Sequence, residues 1–194
     1  MAQKSIAKKG LVIVYIGRGK GKTTAAIGLA VRALGAGLNV YIVQFIKGEW
    51  PSGERDFFSA VKTLQRRYKG QKQIGEMEFI AAGKGFVKIL GDRKPFSTHV
   101  AAARQALKLG RQAVRSRKYD VVILDEALSA VENKLLKENE LTEVVREKPS
   151  SVHLIITGHK ALKWLIKLAD LVSDVKMVKH PYYNGILAQR GIDY

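Results

Sequence analysis

The sequence predicts an α/β chain, a mostly parallel sheet flanked by helices in three layers. Three observations predict it. A short apolar run, Leu11 to Ile16, passes through a glycine-rich loop straight into an amphipathic helix pattern. Apolar runs of strand length recur downstream, with helix-length segments between several of them. One such run ends on adjacent carboxylates, Asp125-Glu126, at the kind of strand end where open parallel sheets gather ligands.

The elements follow in order. Leu11 to Ile16 reads as a buried strand. Lys22 to Leu34 is a helix, because Ala26, Leu29, Ala30, Ala33 and Leu34 recur at helical spacing, and Gly35 and Gly37 end it. Asn39 to Ile46 is a second buried strand. Residues 47–56 are loop-like, and a basic amphipathic segment runs from Phe57 to about Tyr68. Met77 to Ile80 is a short strand, and Gly83 and Gly85 frame a turn. Ser97 to Lys118 is a long helix with Ser97 or Thr98 as its cap. Tyr119 to Leu124 is the strand that leads into Asp125-Glu126. Leu128 to Asn139 and Glu140 to Glu147 are helical pieces, and Ser151 to Thr157 is a strand closed by Gly158. Ala161 to Ala169 is a short helix, Leu171 to Val178 a final strand, and the remainder shows no period. Residues 1–194 are expected to form a single domain, with 1–10 as a basic flexible arm and 179–194 as a closing tail.

Composition narrows the class. The chain has 194 residues and no cysteine. That length builds a core without staples, and the missing thiols exclude a disulfide framework, a cysteine-ligated zinc site and a thiol nucleophile. The apolar run after the basic arm is too short for a signal peptide, and no run reaches a membrane span, so a cytoplasmic protein without a membrane partner is expected. The net charge of +17 is uneven: residues 62–118 hold fifteen basic residues against Glu76, Glu78 and Asp92. A field of that sign attracts polyanions, whether nucleic acid or nucleoside polyphosphate, and a solvated lysine-rich surface is the bland alternative.

The strongest local signal is Gly17-Arg-Gly-Lys-Gly-Lys-Thr-Thr24. Backbone amides of Gly17, Arg18, Gly19, Lys20, Gly21, Lys22, Thr23 and Thr24 can wrap phosphates, and the helix N-terminus adds its field. Lys22 is a point charge for the outer phosphates, and the Thr23 hydroxyl can reach Mg²⁺ or Mn²⁺. The general pattern places a glycine where this chain has Ile16; its glycines stand at 17 and 19. A carboxylate at the end of a neighbouring strand holds the metal in such folds, which makes Asp125, Glu126 or both candidates. These features select the nucleoside-triphosphate-binding, RecA-like form of the fold. Lys22, Thr23, Asp125 and Glu126 are the candidate catalytic set, and Thr23, Asp125 and Glu126 the candidate metal set.

The same loop, Gln44-Phe45-Ile46-Lys47-Gly48, Gly85-Phe86 and the ending Lys179-His-Pro-Tyr-Tyr-Asn-Gly-Ile-Leu-Ala-Gln-Arg-Gly-Ile-Asp-Tyr194 together resemble one family. It is the phosphate-loop type of ATP:corrinoid adenosyltransferase, also called cob(I)alamin or cob(I)yrinic acid a,c-diamide adenosyltransferase. The resemblance covers Val12 to Tyr194. It implies transfer of the 5′-deoxyadenosyl group of ATP to the Co(I) centre of a reduced corrinoid, with release of triphosphate. It also implies a reductase or other electron donor, and a homodimer. Gly17 to Thr24 match the family's triphosphate loop and Asp125-Glu126 its acidic pair. Phe86 matches an aromatic residue near the corrinoid, on the side where the lower axial ligand is displaced. The basic arm resembles a segment that folds over the corrinoid site. The chain departs from the pattern at Val87-Lys88, where relatives carry Thr-Trp, at Leu128 in place of Asn, and at His159 in place of Arg. With Co(I) as nucleophile, no serine, cysteine or histidine triad is needed.

His159, after a strand end, and His180, within Lys-His-Pro, are further candidates for cofactor binding. His153 and Trp164 read as packing, Trp50 as a loop contact, and Tyr182 and Tyr183 as cleft or packing residues. Two other functions compete: a phosphate-loop ATPase acting on nucleic acid, and a small-molecule kinase or non-catalytic nucleotide-binding protein. No nucleic-acid motif is recognised, so no specific nucleic-acid partner is expected.

Overall fold

The computed structural model describes residues 9–48, 51–67, 74–85, 87 and 91–193. Phe86, Lys88, Trp50, Tyr68, Tyr194 and residues 1–8 of the basic arm lie outside the described residues.

Six strands form one sheet: β1 (Val12–Ile16), β2 (Val40–Gln44), β3 (Met77–Ala81), β4 (Val121–Asp125), β5 (His153–Thr157) and β6 (Leu171–Asp174). Their order is β3-β2-β4-β5-β1-β6 and every pairing is parallel. The helices are α1 (Lys22–Gly35), α2 (Gly53–Arg67), α3 (Phe96–Ser116), α4 (Ala127–Glu132), α5 (Glu138–Arg146) and α6 (Lys163–Leu168). A 3₁₀ turn, Pro181–Asn184, lies in the tail.

Alternation along the strands divides the core in two. Ile13, Val40, Ile42, Val121, Ile123 and Ile155 face α1 and α2, meeting Ala26, Ala30, Leu34 and Phe58. Val14, Val43, Val122, Leu124, Leu154 and Ile156 pack with Ala103, Ala106 and Val114 of α3 and with Leu141 and Val144 of α5. The helices therefore cover both faces, which is why β2 and β4 read as continuous apolar runs. At Gly110, α3 approaches so closely that a Cβ would lie 2.6 Å from Leu124 Cδ2. The three-layer α/β architecture, a parallel sheet with helices on both faces, is as expected.

Several boundaries differ from expectation, each for a local reason. α1 continues through Gly35, and the chain turns at Gly37, which has φ 81° and donates to Leu34 O. α2 begins at Gly53, inside the supposed loop: Ser52 Oγ accepts from Arg55 N at 3.4 Å, and Glu54 and Asp56 sit favourably at the helix's positive end. Neither Ser97 nor Thr98 caps α3. Pro95 holds the extended cap position and its carbonyl accepts from Thr98 N at 2.9 Å. The supposed helix from Leu128 to Asn139 breaks after Glu132, where Lys134 turns left-handed at φ 58°. α5 then starts with Glu140 Oε2 accepting from Lys137 N at 2.7 Å. β6 ends at Asp174, four residues early: Val175 N still donates to Ile16 O at 2.8 Å, but its carbonyl accepts from Gly19 N of the loop.

Candidate nucleotide site

β1 ends at Ile16, still paired with Asp174, so the bend falls one residue later than the usual pattern. Gly17 takes φ 112° and Gly21 φ 116°, conformations that side-chain-bearing residues avoid. Gly17 N donates to His159 O at 3.0 Å and Gly19 N to Val175 O at 2.8 Å, so the loop is strapped to the segments after β5 and β6. The loop then enters α1, with Ala25 N donating to Gly21 O at 2.7 Å. Lys22 is buried at the helix start, and its Nζ donates to Gly19 O at 2.8 Å. Its ammonium is thus folded back over the loop.

The parallel register brings four strand ends to the same edge. Gln44 stands opposite Asp125, and Tyr15 opposite Thr157. β4 is not the neighbour of β1, because β5 lies between them. The expectation of a carboxylate on an adjacent strand is corrected in that respect. The contact forms nonetheless: Thr23 Oγ1 donates to Asp125 Oδ1 at 3.0 Å. Thr157 Oγ1, on the intervening strand, donates to the same oxygen at 2.7 Å, and Gln44 Nε2 donates to Oδ2 at 3.0 Å.

Asp125 is 1% exposed. Burial pushes its carboxyl above the usual carboxylate range, and the Glu126 charge adds to the push. Hydrogen bonds from Thr157 and Thr23 and the Lys47 charge act against it. Glu126 adopts φ 63°, a strained conformation for a residue with a side chain, with its amide donating to Thr157 Oγ1 at 2.8 Å. Its carboxylate accepts from Ser129 Oγ. The carboxylate pair is therefore split: Asp125 meets Thr23, and Glu126 is turned towards α4.

The other candidates fall around this centre. Gly17, Arg18, His159, Lys160, Asp174 and Lys176 line a cleft of ≈ 590 Å³ beside the loop. The His159 imidazole is 3.5 Å from Glu132, which also pairs with Lys160 at 3.0 Å. His180 Nδ1 accepts from Tyr182 N at 3.1 Å and so shapes the 3₁₀ turn of the tail. Lys20 pairs with Asp193 near the chain's end. His153 Nδ1 accepts from Leu11 N at 3.2 Å, a structural contact. Among the described residues no group of three His, Cys, Asp or Glu is placed to hold a metal alone.

In sequence, Gln44 stands in a matched motif without a role, and Thr157 reads only as the end of a strand. Each is a polar residue closing a buried strand, Gln44 at 2% and Thr157 at 0% exposure. An uncharged polar group in such a position needs a partner, and that was the available signal.

Comparison with known proteins agrees with this geometry. The chain matches the family described as ATP:corrinoid adenosyltransferase BtuR/CobO/CobP over residues 8–194. It is 36% identical over 187 residues to the corrinoid adenosyltransferase of Escherichia coli (strain K12), covering 96% of this chain and 87% of the relative. The corrinoid adenosyltransferase CobA of Salmonella typhimurium gives the same identity and coverage. The Sinorhizobium sp relative is 35% identical over 192 residues, covering 96% of this chain and 81% of its own. A glycine loop of this build, a buried carboxylate bonded to its threonine, and likeness along nearly the whole chain place the protein in the ATP:corrinoid adenosyltransferase family.

Proposed function

We propose that Gly17 to Thr24 hold the triphosphate of ATP, that Thr23 and Asp125 complete a divalent-cation site there, and that Lys22 stabilises the departing triphosphate. The activity, adenosyl transfer from ATP to a reduced corrinoid, is that of the family. One observation carries the assignment of roles: Thr23, at the start of α1, and Asp125, at the end of β4, meet beside the loop although β4 is not the neighbour of β1.

The donors fit Mg²⁺ or Mn²⁺. A hydroxyl and a carboxylate are hard oxygen ligands, and such ions take one or two of these plus substrate phosphates rather than an all-protein cage. When bound, the cation would neutralise phosphate charge. Glu126, whose carboxylate accepts from Ser129 Oγ, would add negative charge beside that site.

In the transfer, cobalt donates an electron pair to C5′ and a Co–C bond forms. The C5′–O bond breaks and its pair leaves on the triphosphate. The growing charge would fall among the loop amides and on the Lys22 ammonium, which gives up its bond to Gly19 O to meet it. The chain supplies position and charge, and the corrinoid supplies the nucleophile. His159 belongs to the same reading as a cleft residue beside the nucleotide, His180 as a shaper of the tail, and Phe86 as the corrinoid neighbour by resemblance.

A reductase or similar donor delivers Co(I), and the protein works in the cytoplasm as a homodimer. Support for a second copy comes from apolar side chains on β6 and the tail: Val172, Val178, Tyr183 and Leu187 are all exposed. A structure with ATP and Mg²⁺ tests these roles. It should place Thr23 Oγ1 and Asp125 on the cation side of the phosphates; both groups turned away from them would end the assignment.

A further inference from the structure

The last residues described return to the triphosphate loop. Lys20, between Gly19 and Gly21, pairs with the carboxylate of Asp193, one residue from the chain's end. That carboxylate is only 16% exposed, whereas the Lys20 side chain is 48% exposed. The tail holds Asp193 in a compact turn. Gln189 N donates to Asp193 Oδ2 at 2.7 Å, Asp193 N returns a bond to Gln189 O at 2.8 Å, and Gly191 bends at φ 80°. Arg190 and Gly191 also line a groove of ≈ 530 Å³ with Ser52 and Asp56 at the start of α2. The turn is therefore anchored at the loop and lies alongside α2.

An anion already sits on a lysine of a loop built to receive anions. Carboxylate and phosphate oxygens ask the same of an ammonium, and two anions on one cation repel each other. Lys22 is held inward on Gly19 O, so Lys20, like Arg18 in the cleft, is an outer cation of the loop, and Asp193 is the carboxylate a phosphate would have to displace from it.

We propose that Asp193 is a positioning residue for the triphosphate loop: it holds Lys20 when the loop is empty, yields it to the polyphosphate, and reclaims it as triphosphate departs. This rests on the loop holding triphosphate. Asp193 then weakens retention of the product, and the tail turn loosens whenever the loop is filled.

Calorimetric titration with inorganic triphosphate, on the native chain and on Asp193→Asn, Lys20→Gln and the double variant, tests it. Asp193→Asn should bind triphosphate about three- to tenfold more tightly, the scale of one partly exposed charge pair. The gain should vanish when Lys20→Gln is also present. In turnover, Asp193→Asn should lower the KM for ATP and the inhibition constant of triphosphate together, whereas a merely structural loss of the tail would raise KM. Unchanged triphosphate affinity in a variant with native circular dichroism overturns the inference and leaves the loop assignment standing. No triphosphate binding by the native chain overturns both. Hydrogen exchange on the native chain needs no variant: saturating triphosphate should speed exchange at the Ile192 and Asp193 amides, both bonded to Gln189 O. Unchanged or slower exchange there also overturns it.

Discussion

Asp125 is the residue on which the site converges. Its carboxylate accepts from Thr23, Thr157 and Gln44 and lies fully buried. A buried charge of this kind favours function over stability, and the sign can be worked out. The folded-state pKa is raised above the unfolded value of about 3.9. The protonated form is thus favoured in the fold, and this stability is present below the unfolded pKa and lost as pH rises through the folded one. Asp125→Asn should therefore gain melting temperature relative to the native chain as pH rises from the unfolded pKa towards neutrality. The same variant should lose adenosyl transfer. Thermal melting across pH checks the first part and product chromatography the second. Lys22 should behave differently, since its Nζ serves the loop carbonyl of Gly19 and packs little core. Lys22→Ala should keep its melting temperature within a few degrees and lose at least about a hundredfold in turnover, the scale of removing one oriented charge from a leaving group. The motif made Lys22, Thr23 and Asp125 legible, because their chemistry is tied to spacing. The roles of Gln44 and Thr157 were not legible, because nothing short of the strand order shows that the ends of β2 and β5 meet the carboxylate closing β4.

At the scale of elements, the loop's glycines are required by what packs on them. A Cβ at Gly17 would lie 2.5 Å from Asp174 Oδ1, on a backbone already at φ 112°. Gly17→Ala should lower the melting temperature by about 4 °C or more and weaken triphosphate binding, measured by melting and calorimetry on one preparation. Away from the site, α3 and α5 are joined by Glu147, which accepts from Arg111 and from Arg115 at 2.7 and 2.8 Å. Those hydrogen bonds hold its carboxyl down at about 2. A depressed carboxylate contributes stability above its unfolded pKa and loses it as pH falls through the folded value. Glu147→Gln should accordingly melt a little below the native chain at pH 7, with the gap shrinking as acid approaches pH 2; a constant gap would assign the loss to packing instead. Strand positions were readable because buried parallel strands are continuous apolar runs. Two helix starts were not: Pro95 sets that of α3 through backbone geometry, where the nearby Ser97 and Thr98 look like caps in sequence, and Ser52 Oγ caps α2 from within a stretch that reads as loop.

For the whole molecule, the unsettled quantity was the purpose of a +17 net charge. Arg18, Lys20, Lys22, Lys160 and Lys176 gather at the edge that carries the loop and its cleft, where a nucleotide and an amide- or carboxylate-bearing corrinoid would be held. Duplex DNA should bind this surface only at low salt, and fluorescence anisotropy at about 150 mM salt should show no micromolar complex and no stimulation of ATP hydrolysis. The overall architecture and the family were legible from the loop and the ending taken together. The placement of the tail against the loop was not, because residues 179–194 have no period and the contact that brings the tail to the loop, Asp193 on Lys20, leaves no pattern in the sequence. The most direct measurement is an anaerobic incubation of the native chain and of Lys22→Ala with ATP, Mg²⁺ and a Co(I) corrinoid, followed by chromatography of both products. The native chain should yield adenosylated corrinoid and intact triphosphate in equal amounts, and Lys22→Ala almost none. Release of phosphate or diphosphate without adenosylated corrinoid, or full yield from Lys22→Ala, would contradict the account.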